Sequence, residues 1–308
     1  MKQKHLLALK DYSREDLDEI FALALDLKAR PNDYRDALRG KVLAMIFQKP
    51  STRTRVSFEA GMFQLGGHAL HLGADALQLN RGETVADTAR VLSRYVDGIM
   101  ARVFAHQDVL DLARHGSVPV INGLSDLLHP CQALADYLTL LERRGSFRGL
   151  KVAYVGDGNN VCHELMMGAV KLGVSFAAAT PAGYEPNQLI VKSATREAQK
   201  GGAPAPLITR DPMEAVDGAD VVCTDVWTSM GQEAEAEARQ DAFQGFMVTP
   251  ALMAAAGAQA VFMHCLPAHR GEEVAAAVID GPQSVVFEEA ENRLHVQKAI
   301  LVLLMSGR

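Results

Sequence analysis

The sequence predicts an α/β protein of two doubly wound domains, each a parallel sheet covered by helices. Three observations carry that prediction. The chain has 308 residues, about twice the usual domain length. Short apolar runs alternate with stretches of helical periodicity almost from end to end, which is the signature of parallel α/β units. The pattern also restarts after a break at Gly145 to Gly149, which sets a domain boundary between residues 147 and 148.

Each element follows from its own residues. Val42 to Phe47 is a buried-strand run, and Pro50 with Ser51 breaks it before a helical stretch. His68 to Leu72 is a second strand, followed by a polar loop and a helix. That helix carries Val85, Thr88, Ala89, Leu92 and Tyr95 on one face, at spacings of three and four. Gly98 to Val103 and Val118 to Ile121 read as further strands. Leu134, Tyr137, Leu138 and Leu141 mark another amphipathic helix, ended by Arg143, Arg144 and Gly145.

The second set begins at Leu150 to Val155 and runs into Gly156, Asp157 and Gly158. Strands are expected at Val174 to Ala179, Leu207 to Thr209, Val221 to Thr224, Val261 to Met263 and Ser284 to Phe287. Gln232 to Gln240 is charged and poor in large apolar residues, so it reads as a mobile surface loop. The last helix, about 290–305, is apolar enough to dock into a core.

Composition excludes several function classes. Hydrophobic residues make up 48% and charged residues 22%, too apolar a balance for disorder. The 31 basic and 37 acidic residues leave a net charge of −6, which argues against a nucleic-acid binder. No apolar run approaches the roughly 18 residues of a membrane helix, and the N-terminal segment resembles neither a signal nor a transit peptide. Cys131, Cys162, Cys223 and Cys265 are widely spaced with no CxxC pair, so no zinc site or disulfide framework is expected. The expectation is a cytoplasmic protein with reduced thiols.

The candidate chemistry sits at strand ends, where open α/β sheets bind ligands. Lys49-Pro50-Ser51-Thr52-Arg53-Thr54-Arg55 lies between a strand and a helix. A helix start offers unpaired N–H groups and positive potential, and the hydroxyls and arginines add donors and charge, so the segment suits phosphate. The plainer reading is an N-cap serine followed by solvated arginines. His129-Pro130-Cys131-Gln132 also opens a helix. Its histidine suits a carbonyl oxygen or a cap, and Cys131 suits a small buried filler. Arg102 ends a strand within reach of the same crevice.

Gly156-Asp157-Gly158-Asn159-Asn160-Val161 is half a dinucleotide fingerprint. Val161 replaces its third glycine and no acidic residue ends the next strand, which disfavours hydride transfer. Asn160 at the helix start suits a carboxylate or an amino group. Asp225 and Ser229, four residues apart and flanking the single tryptophan, Trp227, suit a zwitterionic amino acid. His264-Cys265-Leu266-Pro267-Ala268-His269 invites a metal, but two imidazoles and one thiol with no further clustered ligand make a poor set.

Together these segments resemble the aspartate/ornithine transcarbamylase family in its ornithine carbamoyltransferase form. Ser51-Thr52-Arg53-Thr54-Arg55 matches the carbamoyl phosphate motif and His129-Pro130-Cys131-Gln132 the ornithine-type second motif. Asp225-x-Trp227-x-Ser229-Met230-Gly231 and His264-Cys265-Leu266-Pro267 match the ornithine-side motifs. The resemblance runs from the N-terminal helix through Glu291-Asn292-Arg293-Leu294-His295.

It implies a two-domain trimeric enzyme, or a multiple of trimers, whose last helix crosses back to the first domain. Residues 1–147 with about 290–308 would bind carbamoyl phosphate, and 148–289 would bind ornithine. Carbamoyl phosphate would meet Ser51, Thr52, Arg53, Thr54, Gln78, Arg102, His129, Pro130, Cys131, Gln132, Cys265, Leu266 and Arg293. Ornithine would meet Asn160, Asp225, Ser229 and Met230. Arg102, His129 and Cys265 would be catalytic, with no cofactor and no metal. Two positions depart from the family: Asn80 replaces a glycine, and Glu164 replaces a serine, setting a carboxylate near the first turn of the ornithine-side helix.

The alternatives are a transcarbamylase for aspartate, putrescine or an acylated ornithine, and a regulatory binding module. Cys131 and the His264-Cys265-Leu266-Pro267 run argue against aspartate. Asp225 with Ser229-Met230 favours an acceptor with a free α-amino group. A binding module would have no need of Cys265.

Overall fold

β1 (Val42–Phe47) is six apolar residues, five of them buried, because both of its faces are covered. It pairs in parallel with β2 (His68–Gly73) on one side and β3 (Gly98–Arg102) on the other, and β4 (Val120–Leu124) completes the order β2-β1-β3-β4. The computed structural model describes residues 3–74, 77, 82–229 and 231–307. Helices α1 (Arg14–Ala29), α2 (Thr52–Gln64), α3 (Val85–Leu92), α4 (His106–His115) and α5 (Pro130–Arg144) complete this half of the chain. Ser13 and Asp16 form a reciprocal capping box that starts α1.

A second parallel sheet has the order β7-β6-β5-β8-β9. Its strands are β5 (Lys151–Val155), β6 (Ser175–Ala179), β7 (Leu207–Thr209), β8 (Val221–Thr224) and β9 (Val261–His264). Between them run α6 (Asn160–Leu172), α7 (Gln188–Gly201), α8 (Pro212–Val216), α9 (Ala236–Ala242) and α10 (Pro250–Ala256), then α11 (Ala276–Ile279) and α12 (Val286–Met305). The chain divides into two compact units, 1–138 with 291–308 and 139–290.

Four local expectations are corrected. β4 starts two residues late and runs on to Leu124. Tyr95 lies beyond the end of α3 and is exposed. Ser284 to Phe287 is not a strand: Ser284 makes a single bridge to Phe262, and the chain turns into α12 at Val286. Val285 and Val286 are buried all the same, so the apolar run reflects core packing at a helix start. Gln232 to Gln240 is not a loop throughout: a 3-10 turn at Glu233–Glu235 runs into α9, on which Arg239 is buried.

Strand order places the functional loops. In the first sheet the chain goes from β1 outward to β2, then returns to the other side of β1 as β3. In the second sheet it does the same, with β5 and β8 flanking the reversal. Loops leaving adjacent strands at such a reversal diverge and open a crevice at the carboxyl ends. In the first unit 48–55 meets the end of β3, and in the second 156–160 meets 225–229.

Candidate active site

In the first unit, the Ser51 side chain caps α2 by accepting the Thr54 N–H at 3.2 Å. Phe47 and Arg102 are register partners, and Gln48 N–H donates to the Arg102 carbonyl at 2.9 Å, so Arg102 lies beside the Ser51 loop. The register between β3 and β4 slips at Ala101/Arg102, a local irregularity of the kind that re-aims a strand-end side chain. Arg293, on α12, is buried; it donates to Gln132 Oε1 at 2.7 Å and to Thr54 Oγ1 at 3.3 Å. Gln132 in turn donates to Asp136 Oδ1 at 2.8 Å. One buried guanidinium therefore joins the phosphate-type loop to the start of α5.

The His129 carbonyl receives the first amide donors of α5, from Gln132 and Ala133. Its imidazole is buried, and burial together with the cations of Arg293, Arg102 and Arg53 holds its pKa well below the usual value. His129 Nδ1 has no hydrogen-bond partner among the described residues. Cys131 is fully buried and donates weakly to the Asn122 carbonyl at 3.4 Å, which is the packing role its residue type suggested.

In the second unit, Asn159 caps α6 through its Oδ1, which accepts from Val161 and Cys162. Its amide donates to Asp225 Oδ2 at 2.7 Å. The other oxygen, Oδ1, accepts the Cys265 thiol at 3.1 Å and the Val226 N–H at 2.8 Å. Tyr154 OH reaches Asn159 Oδ1 at 3.3 Å; burial and the Asp225 charge push its pKa well up, so it stays a protonated donor. Gly158 has no room for a side chain, because a Cβ would collide with the backbone of Pro186. Asp157 is buried, which raises its pKa to about 6 although Arg239 pulls it back down.

His264 bonds to the backbone on the far side of Cys265. Its Nδ1 accepts the Leu266 N–H at 2.9 Å, so Nε2 carries the hydrogen and donates to Glu273 Oε1 at 3.1 Å. Leu266 adopts φ +57°, a left-handed backbone that costs a branched residue energy and persists only where its surroundings hold it. One ligand atom each from Asp225, His264 and Cys265 lies within 4.8 Å of the others, yet both His264 nitrogens already have protein partners.

Comparison with known proteins decides the lineage. Residues 4–142 match the family model described as aspartate/ornithine carbamoyltransferase, carbamoyl-P binding domain. Residues 148–304 match its companion, the Asp/Orn binding domain. The chain belongs to the aspartate/ornithine carbamoyltransferase family. It is 59% identical over 309 residues to a protein of Pyrococcus horikoshii named ornithine carbamoyltransferase, covering 100% of this chain and 97% of that one. A protein of Symbiobacterium thermophilum with the same name is 58% identical over 99% of both chains. The solved ornithine carbamoyltransferase of Pyrococcus furiosus superposes with a TM-score of 0.95 at 57% identity, covering 99% of this chain and 98% of that one.

The motif residues of this carbamoyltransferase fall into two groups, each within its own unit. Ser51, Thr52, Arg53, Thr54, Arg102, His129, Pro130, Cys131, Gln132 and Arg293 belong to the first, and Asn160, Asp225, Ser229, Cys265 and Leu266 to the second. Gln78, Met230 and Asn80 lie outside the described residues. Glu164, near the start of α6, is buried and not exposed to solvent. Sequence reasoning missed Arg239, Tyr154 and Glu273. Glu273 carried one faint signal, a lone acidic pair nine residues past His264; Arg239 carried none.

Proposed function

We propose that the enzyme transfers the carbamoyl group of carbamoyl phosphate to the δ-amino group of L-ornithine, giving L-citrulline and phosphate, as in arginine biosynthesis. The observation that carries the reading is the Asp225 carboxylate, bonded at once to the Cys265 thiol and the Asn159 amide beside the start of α6. A carboxylate next to a helix N-terminus offers one group for an ammonium and one for a carboxylate, which is what a free amino acid presents. In this reading Asn160, Asp225, Ser229 and Met230 hold the α-groups of ornithine.

Carbamoyl phosphate is assigned to Ser51, Thr52, Arg53, Thr54, Gln78, Arg102, His129, Pro130, Cys131, Gln132 and Arg293. Residues 1–147 with 290–308 form its domain, and 148–289 form that of ornithine. The carbonyls of Cys265 and Leu266 accept the carbamoyl NH2. The neutral δ-amine attacks the carbamoyl carbon, a C–N bond forms, and the C–O bond to phosphate breaks as the amine loses a proton. His129, held neutral by burial, keeps one N–H to donate to the carbonyl oxygen as that oxygen gains charge. Arg102 stabilises the same oxyanion, Arg53 the departing phosphate, and Cys265 handles the amine proton. Orientation of two substrates supplies much of the acceleration, with no cofactor invoked.

The reading extends to a homotrimer or a multiple of trimers in the cytoplasm. Its support is the family and the absence, among the described residues, of any helix long and apolar enough to cross a membrane. The test is an assay of carbamoyl transfer from carbamoyl phosphate to ornithine, N-acetylornithine, putrescine and aspartate in parallel. Citrulline formation from ornithine, well above carbamoylation of the other three, is expected. Preference for any other acceptor would overturn the assignment.

A further inference from the structure

Glu273, the carboxylate bonded to His264, is only half satisfied. It is 0% exposed, and its Oε1 accepts both the His264 Nε2–H at 3.1 Å and the His269 N–H at 2.6 Å. Its Oε2 is equally buried and has no hydrogen-bond partner among the described residues. A bare carboxylate oxygen in the interior is costly and calls for a water or an ion beside it.

The groups around that oxygen point to an ion. The chain turns at Gly271, φ +91°, and the Glu272 N–H donates to the His269 carbonyl at 3.0 Å. That turn brings His269 and Glu272 together next to Glu273. His269 Nδ1 lies 3.7 Å from Glu272 Oε2 and 3.8 Å from Glu273 Oε2, too far for hydrogen bonds. One ligand atom from each of the three residues lies within 4.8 Å of the others. Two carboxylates crowd one imidazole, and the adjacent cation does not offset them. Arg270 instead donates to both oxygens of Asp280, at 2.9 and 2.6 Å.

The spacing suits a metal. Ligands about 2.1 Å from a tetrahedral Zn2+ lie roughly 3.4 Å apart, so these pairs are wider by only about 0.4 Å. The side chains of His269 and Glu272 are 51% and 44% exposed and can close that gap, while Oε1 anchors Glu273. An imidazole nitrogen with two carboxylates is a donor set for Zn2+, whereas Mg2+ wants an octahedron of oxygens.

We propose that His269, Glu272 and Glu273 bind a divalent transition-metal ion, with Zn2+ the best match. The site uses neither Asp225 nor Cys265. The bound ion clamps the 269–273 turn to the carboxylate that bonds His264. Through the Leu266 N–H on His264 Nδ1 it braces the segment that carries Cys265. It takes no part in carbamoyl transfer.

The experiment uses untagged full-length protein freed of metal with a chelator, and Zn2+ as the probe in equilibrium dialysis and thermal melts. Binding is measured in Cys265→Ser, which dismantles the cluster of Asp225, His264 and Cys265, and then with His269→Ala or Glu272→Gln added. Cys265→Ser is expected to take up one Zn2+ per chain and to melt several degrees higher with it. Either added substitution should weaken uptake ten-fold or more and remove the shift, and Mg2+ should give no shift at all. Zn2+ uptake absent from Cys265→Ser, or left within two-fold by both added substitutions, overturns the proposal. If Cys265→Ser does not fold, Co2+ spectra of wild type and His269→Ala decide instead. His269→Ala should then lose visible bands while any near-ultraviolet thiolate band stays; identical spectra overturn the proposal.

Discussion

Cys265 donates its thiol hydrogen to Asp225 Oδ1 across 3.1 Å, while Asn159 occupies the other oxygen of the same carboxylate at 2.7 Å. In the proposed reaction, a thiol with a carboxylate acceptor already in place serves to pass on the amine proton. Cys131, 0% exposed and donating to the Asn122 carbonyl at 3.4 Å, has no carboxylate as the acceptor of that bond.

Cys265→Ser is the direct test of that contrast. Serine is nearly isosteric and keeps a hydrogen bond to Asp225, so the melting temperature should stay within a few degrees of wild type. Turnover should fall ten-fold or more, about 1.4 kcal/mol of transition-state stabilisation, because an alcohol gives up its proton far less readily than a thiol. Carbamoyl phosphate affinity should be retained. A stable mutant with full turnover would take Cys265 out of the chemistry.

Arg53 and Arg293 should separate binding from folding. Arg53 lies in the first turn of α2 and is half-buried, so Arg53→Ala should leave the fold intact. Loss of a charged donor to phosphate should cost roughly 1.5–3 kcal/mol, or about ten- to hundred-fold in kcat/KM for carbamoyl phosphate. Arg293→Ala removes the shared partner of Gln132 and Thr54 in a buried site, and should lower the melting temperature as well. Equal melting temperatures for the two variants would contradict the structural role given to Arg293.

The strands were legible where burial on both faces turned them into unbroken apolar runs, as at Val42 to Phe47 and Val221 to Thr224. The phosphate-side loop was legible because Ser51, Thr52, Arg53 and Thr54 are contiguous, so one helix start gathers them without help from topology. Ser284 to Phe287 misled because Val285 and Val286 are buried for tertiary reasons at the start of α12, which strand propensity cannot register. Arg239 was illegible for a sharper reason. Its burial depends on Asp157, 82 positions earlier, and on the Trp227 carbonyl, which has no side-chain identity to read.

His129 should stay neutral throughout the working range. Its folded pKa lies well below the ordinary value near 6.5, first through burial and then through the surrounding arginines. In the unfolded chain the imidazole takes up a proton as pH falls through about 6.5, and in the folded chain it does not. Its contribution to stability is therefore present above pH 6.5 and is lost on acidification below it. Histidine ring resonances, assigned by comparison with His129→Gln, should show no His129 titration between pH 8 and 6. A titration midpoint near 6.5 would contradict the burial argument.

The last prediction concerns how Asp225 acts. It has two separable tasks in this reading, holding the α-amino group of ornithine and accepting the Cys265 proton. Asp225→Asn keeps the shape but turns one oxygen into a donor, which must then face the Asn159 amide or the Cys265 thiol, both donors themselves. Ornithine KM should rise and kcat should fall. A double-mutant cycle with Cys265→Ala separates the two effects. Once the thiol is gone, Asp225→Asn has no proton relay left to break, so its cost in kcat should shrink by at least about 1 kcal/mol, while its cost in ornithine KM should persist. Additive losses in kcat would mean that Asp225 and Cys265 act independently, and the hydrogen bond between them would then be a packing contact without a part in the reaction.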